Sequence, residues 1–162
     1  PLSALLQEIM HLGKPTPVAA ETFATTLDAY LLLGDLAEQP IAADTADGRP
    51  RTVAAAHTRM ARMICADSTM MTLSEAKDAA RSVRQRQIEL LSSAAYRVLA
   101  RMPRPPATIV LSGHGEFLAR RILDVLPGAG QVLSLRSKLG PQANRCATAH
   151  ALAVLAAERR WH

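Results

Sequence analysis

An apolar, β-branched run, Ile109-Val110-Leu111, ends in Ser112-Gly113-His114-Gly115 and passes at once into a helical pattern, Glu116 to Leu126. Few other arrangements satisfy that order of residues as well as strand, glycine turn, helix. Glycines let the backbone turn tightly and approach a ligand closely. The first free N–H groups of the helix, with its dipole, then favour an anion. The same turn also serves where glycines only solve a backbone problem, because short glycine motifs are weakly specific.

The elements on either side extend the pattern. Thr72-Leu73-Ser74-Glu75 fits a capping box, and the helix it opens is expected to run to about Met102, with Ala76, Ala79, Ala80, Val83, Leu90, Leu91, Ala94, Ala95 and Val98 on one stripe. Gln87 interrupts that stripe and marks a bend or a polar contact. Pro103, Pro105 and Pro106 stop the helix. Beyond the glycine turn, Val132 to Leu135 reads as a second short strand. A last helix is expected from Pro141, with Cys146, Ala149, Ala153 and Val154 packed on the sheet. Helix, strand, helix, strand, helix is the order of an α/β domain, whose ligands sit at the carboxyl ends of the strands.

The first third is more polar and less regular. Leu2 to Ile9 alternates loosely and is expected as a strand, pairing across Gly13-Lys14-Pro15 with Pro17 to Ala20. Thr25, Thr26 and Asp28 precede an apolar run that stops at Gly34. Hydroxyls and a carboxylate there serve either to bind phosphate or a metal-bound water, or to cap a helix. Asp44 to Arg51 is turn-rich around Asp47-Gly48; its aspartates and arginines suit a surface loop or a site loop. From Val53 a helical face is expected through His57, Met60, Ala61 and Ile64, with His57 as a packed residue and not a ligand.

Composition excludes several classes. The net charge of +5 draws on Arg81, Arg84, Arg86, Arg159 and Arg160, but one Trp, two Tyr and two Phe are too few for a nucleic-acid stacking platform. No apolar run reaches the roughly 18 residues that span a bilayer. Cys65 and Cys146 stand far apart without a CxxC partner, so no metal set is expected; they read as buried, reduced thiols of a cytoplasmic protein. The chain opens Pro1-Leu2-Ser3-Ala4 with neither an initiator Met nor a signal peptide, and is expected to be a piece of something longer.

Three segments together, Ala19 to Gly34, Asp44 to Thr52 and Val110 to Ala119, carry a resemblance. In this order the chain resembles the C-terminal half of the hydantoinase/oxoprolinase-related proteins of tetrahydromethanopterin-linked one-carbon transfer, whose archaeal relatives are methanofuran-biosynthesis synthases. The resemblance implies an actin-like ATPase fold, as in sugar kinases and Hsp70, of which this chain, residues 1–162, is a single α/β domain with one RNase H-like half. It implies condensation of an aminomethylfuran diphosphate with a γ-glutamyltyramine phenol, with loss of diphosphate; an ATP-dependent hydantoinase or oxoprolinase and a non-catalytic interaction module are the alternatives. His114 and Asp28 are the expected catalytic residues. Ser112, Gly113, Gly115, Glu116, Thr25, Thr26, Asp47 and Arg49 are the expected ligand-binding residues, with Arg49 suited to grip a diphosphate or a carboxylate bidentately. The family's two glycine-rich phosphate loops do not occur in this sequence. The expected partners are therefore a phosphorylated small molecule, the missing N-terminal half and a homo-oligomer, without nucleic acid or membrane. Mg2+ is expected in the complete enzyme, and ATP only under the first alternative.

Overall fold

The computed structural model describes residues 1–126, 128 and 130–159. The architecture is mixed α/β, with six α-helices and two small sheets among the described residues. It divides into two compact units, Pro1–Glu89 and Leu90–His162.

The first unit opens with a 3-10 turn, Leu2–Ala4, where a strand was expected from Leu2. Leu2, Leu5, Leu6 and Ile9 recur at helical spacing and reach the core, which a strand's alternation would not allow. The strand β1 spans only Glu8–His11 and pairs antiparallel with β2, Lys14–Pro17, in the register His11 to Lys14. Two helices follow: α1, Thr26–Leu32, and α2, Val53–Arg62, packed against each other. Ala29, Leu31, Leu32, Ala56, Met60 and Ala61 form their shared interior, where the alanines let the backbones approach. The Nε2 atom of His57 lies 2.7 Å from the Met71 carbonyl oxygen and donates to it, which gives this histidine the packing role expected of it.

The long helix α3 spans Leu73–Leu99, three residues short of Met102. Its capping box is formed as expected: Thr72 N–H donates to Glu75 Oε2 at 2.8 Å, and Glu75 N–H donates to Thr72 Oγ1 at 3.2 Å. Gln87 makes a polar contact, accepting from the Tyr30 hydroxyl at 2.5 Å. Glu75 does more than cap, because its Oε1 also accepts from Leu12 N–H at 3.0 Å and lies 3.2 Å from His11 Nδ1. The N–H groups of Leu12 and Thr72 hold its carboxyl at about 2, against an ordinary 4.5. A folded-state pKa below the unfolded one stabilises the fold at higher pH. The difference in stability between the wild type and Glu75→Gln is therefore expected in full above about pH 5. It shrinks as pH falls toward 2, which urea unfolding across that range measures.

In the second unit β3, Thr108–Leu111, and β4, Gln131–Ser134, are parallel, with Leu111 opposite Ser134; α4, Glu116–Leu123, connects them. Gly130 is required by a close approach, since a Cβ there would stand 2.4 Å from the Ala107 carbonyl oxygen. The helix α5, Leu135–Arg145, begins on Ser134 and kinks at Gly140, whose φ is 79°, before Pro141 restarts it. The last helix, α6, spans Ala147–Glu158. The sequence placed one helix here, starting at Pro141.

Two further expectations fail. No residue of α6 is buried, so Cys146, Ala149, Ala153 and Val154 do not pack on a sheet. Its apolar residues surround the axis without a one-sided stripe, and the two four-residue strands offer little face to cover. Both cysteines are exposed and free, where buried thiols were expected. Cys65 follows α2 in the left-handed region, with φ 57°, and Cys146 sits at the junction of α5 and α6. No helix among the described residues is long and apolar enough to cross a membrane.

Candidate functional site

The expected site residues fall into two groups, one in each unit. In the first, Thr25 is the N-cap of α1 and Asp28 its third residue, and Thr25 N–H donates to Asp28 Oδ2 at 2.8 Å. Capping is thus one role of Asp28. The other comes from α2: Arg59, fully buried, donates from Nε to Asp28 Oδ1 at 2.7 Å. Both oxygens of Asp28 are therefore taken by groups of the protein. Thr26 is the half-buried first residue of α1.

Arg59 reaches a second carboxylate. Its Nη1 donates to Asp47 Oδ1 at 3.0 Å. One turn further along α2, Arg62 Nη1 lies 3.3 Å from Asp47 Oδ2, and Arg49 Nε lies 3.8 Å from the same oxygen. The loop is fixed locally: Arg49 N–H donates to Asp47 Oδ1 at 3.2 Å, and the Thr45 hydroxyl donates to the Arg49 carbonyl at 2.6 Å. Burial pushes the Asp47 carboxyl up, but the Arg49 N–H and the Arg59 guanidinium outweigh it and hold it below the usual carboxylate range. The segment 44–51 is thereby tied to α2 by two arginines, Arg59 and Arg62, that the sequence did not single out.

The second group is the glycine turn. Gly113 has φ 88°, a left-handed conformation in which a side chain is strained, and Gly115 is the N-cap of α4. Ser112, His114 and Gly115 are exposed. The His114 ring makes no hydrogen bond with the described residues. Glu116 is turned inward and ion-paired to Arg120 at 2.6 Å. The neighbouring Ser134 hydroxyl, at the end of β4, and then Arg120 hold its carboxyl below the usual range against the effect of burial. Glu116 is thus paired within α4 to Arg120, with the Ser134 hydroxyl beside it.

Asn144, on α5 and nearly buried, was not legible as a site residue. Its Oδ1 accepts from Gly113 N–H at 3.0 Å, and its Nδ2 donates to the Gly113 carbonyl at 3.1 Å. This amide clasp closes one side of a cavity of about 370 Å3 lined also by Ser112, Cys146 and Thr148. Asn144→Ala strands both backbone groups of Gly113, and is expected to cost about 1–3 kcal/mol. Amide hydrogen exchange at Gly113, faster in the variant, and denaturant unfolding measure it.

No family model matches the chain. It is similar to the (4-{4-[2-(gamma-L-glutamylamino)ethyl]phenoxymethyl}furan-2-yl)methanamine synthase of Methanocaldococcus jannaschii, 28% identical over 155 residues, which are 96% of this chain and 45% of that protein. It is also similar to the synthase of the same name from Methanococcus vannielii, 25% identical over 157 residues, 96% of this chain and 70% of that protein. The chain thus spans less than half the length of the first relative. The product these names specify is a furan carrying an aryl ether on a methyl carbon, an aminomethyl group and a γ-glutamyl arm.

Proposed function

We propose that this chain forms part of a biosynthetic enzyme for a methanofuran-like one-carbon carrier, and that it contributes one wall of a site that makes an aryl furfuryl ether. The observation that supports it most is similarity along 96% of the chain to two synthases named for such an ether. In the proposed step the phenol of γ-glutamyltyramine loses its proton, and the phenolate oxygen attacks the furfuryl carbon of an aminomethylfuran diphosphate. The C–O bond to diphosphate breaks, and diphosphate leaves with the electron pair. The phenol proton passes to a base, for which His114 is the candidate because its exposed imidazole lies in the turn itself.

Ser112, Gly113 and Gly115 line the ligand side of the turn in this proposal, with Glu116 orienting them, and the strand, turn, helix, strand unit around them is the part we relate to an actin-like half. Asp28 is assigned a positioning role through Arg59, because both its oxygens are already engaged. Thr25 and Thr26 set the start of α1 beneath it. Within the first unit, Arg49 is the residue suited to grip a diphosphate. Among the described residues no three His, Cys, Asp or Glu converge, and Asp28 and Asp47 are neutralised by arginines. That donor set does not fit Mg2+.

The test uses the complete enzyme, since the relatives are longer than this chain. Incubated with the furan diphosphate and γ-glutamyltyramine in the absence of ATP, it is expected to form the ether, identified by mass. Strict dependence on ATP together with hydrolysis of a cyclic imide or lactam would replace this proposal with a hydantoinase or oxoprolinase. His114→Asn is expected to lower kcat by about 10²–10⁴; near-normal turnover removes His114 from the mechanism.

A further inference from the structure

We propose that Arg49 and Arg62 form a two-guanidinium seat for a diphosphate group, and that the buried Arg59 positions that seat. The choice of diphosphate rests on the proposed ether synthesis; the seat itself rests on geometry. Arg62 Nη1 and Arg49 Nε approach the same oxygen, Asp47 Oδ2, at 3.3 and 3.8 Å. The second distance is too long for a hydrogen bond. One carboxylate oxygen is therefore divided between two guanidiniums, and among the described residues neither fork is filled. Their side chains are partly open to solvent, 56% for Arg49 and 38% for Arg62, whereas Asp47 is 16% exposed. Three arginines, 49, 59 and 62, meet two aspartates, 28 and 47, so the cluster carries a net charge of 3 − 2 = +1.

That balance selects the occupant. A monoanion would add one charge to a seat that Asp47 already half-neutralises, and would gain little over water. A diphosphate carries several charges and several oxygens, and can engage both planar forks at once, the arrangement in which arginine binds phosphoryl groups most strongly. The loop is preformed for it by the Thr45 and Asp47 hydrogen bonds to the Arg49 backbone, so little ordering remains to be done on binding.

Arg59 is fully buried and cannot touch the ligand. It joins Asp28 on α1 to Asp47 in the loop and so fixes where Asp47 stands, and through Asp47 the two outer arginines. Its Nη2 lies 2.7 Å from Asp28 Oδ1 without hydrogen-bond geometry, which leaves one buried donor of this cluster unsatisfied.

Calorimetric titration of this chain with inorganic diphosphate, inorganic phosphate and glutamate at physiological salt tests the proposal. Diphosphate is expected to bind at least tenfold more tightly than phosphate. Arg62→Ala and Arg49→Ala, both at open positions, are each expected to weaken it tenfold or more with the melting temperature little changed. Arg59→Lys, which keeps the charge but cannot bridge two aspartates, is expected to weaken it by a similar factor. Absence of diphosphate binding, or binding indifferent to Arg49 and Arg62, overturns the seat. Tighter binding of glutamate that is lost in Arg62→Ala overturns the choice of diphosphate. A lowered melting temperature in Arg59→Lys with unchanged diphosphate affinity leaves Arg59 a structural residue and removes its positioning role. The titration involves no turnover, so an enzyme that fails to make the ether overturns the proposed reaction without touching this result.

Discussion

Replacing Arg59 with Met lowers the stability of the first unit by about 3–5 kcal/mol, the largest effect expected of any single substitution here. The loss comes from what is left behind more than from the pair itself. Asp28 is 1% exposed, and with Arg59 gone the Thr25 N–H is what answers its charge among the described residues. Asp47 loses its strongest side-chain partner at the same time and keeps Arg62 at 3.3 Å. Removing the stranded charge should therefore recover part of the loss: Asp28→Asn/Arg59→Met is expected to be more stable than Arg59→Met alone, because Asn still accepts the capping hydrogen bond. The pH dependence has a definite sign. The Asp47 carboxyl is held low in the folded state, so its contribution is present above the unfolded value of about 3.9 and lost as pH falls through the lowered one. Urea unfolding of the three proteins from pH 7 down to about pH 2 measures both effects; equal stability of Arg59→Met and the wild type would show that the cluster is not a buried bridge.

Leu31→Ala is expected to cost about 2–5 kcal/mol, whereas Leu152→Ala should change stability by less than about 0.5 kcal/mol. The two leucines differ only in surroundings. Leu31 is 1% exposed among Ala29, Leu32, Ala56 and Met60, where a deleted side chain leaves a cavity. Leu152 is 64% exposed on α6, which buries nothing. Among the described residues of the second unit Leu111 and Leu118 are the large apolar ones that are buried, and an apolar cleft of about 330 Å3 stays open between the end of α3, β3 and α4. The contrast concerns two units, so a single unfolding midpoint is not a sufficient readout. Hydrogen exchange resolved by residue is expected to show the Leu31→Ala loss in α1 and α2.

What could be read from the sequence was local. The Thr72 and Glu75 capping box is written three residues apart, and the glycine turn lies between an apolar run and a helical pattern that both declare themselves. The contacts that build the site are not local. Asp28 meets Arg59 across 31 residues, and Gly113 meets Asn144 across 31 residues. One signal for Arg59 was available. Taking the face of α2 as Val53, His57, Met60, Ala61 and Ile64 finds the buried Met60 and Ala61 but leaves out Ala56, Arg59 and Met63, which are buried with them. An arginine centred on a buried stripe demands a carboxylate partner. The first half of α5 was hidden because Gly140-Pro141 reads as a loop, although Ser134, which caps the helix through Ser137 N–H, marks its start. The division at Glu89 falls inside a continuous helix, where no turn residue announces it.

The most direct measurement is the amount of diphosphate released per ether formed by the complete enzyme, with and without ATP. One diphosphate for each ether, unchanged by ATP, is the predicted result. Ether formation without diphosphate release, or release that requires ATP and yields no ether, would contradict it.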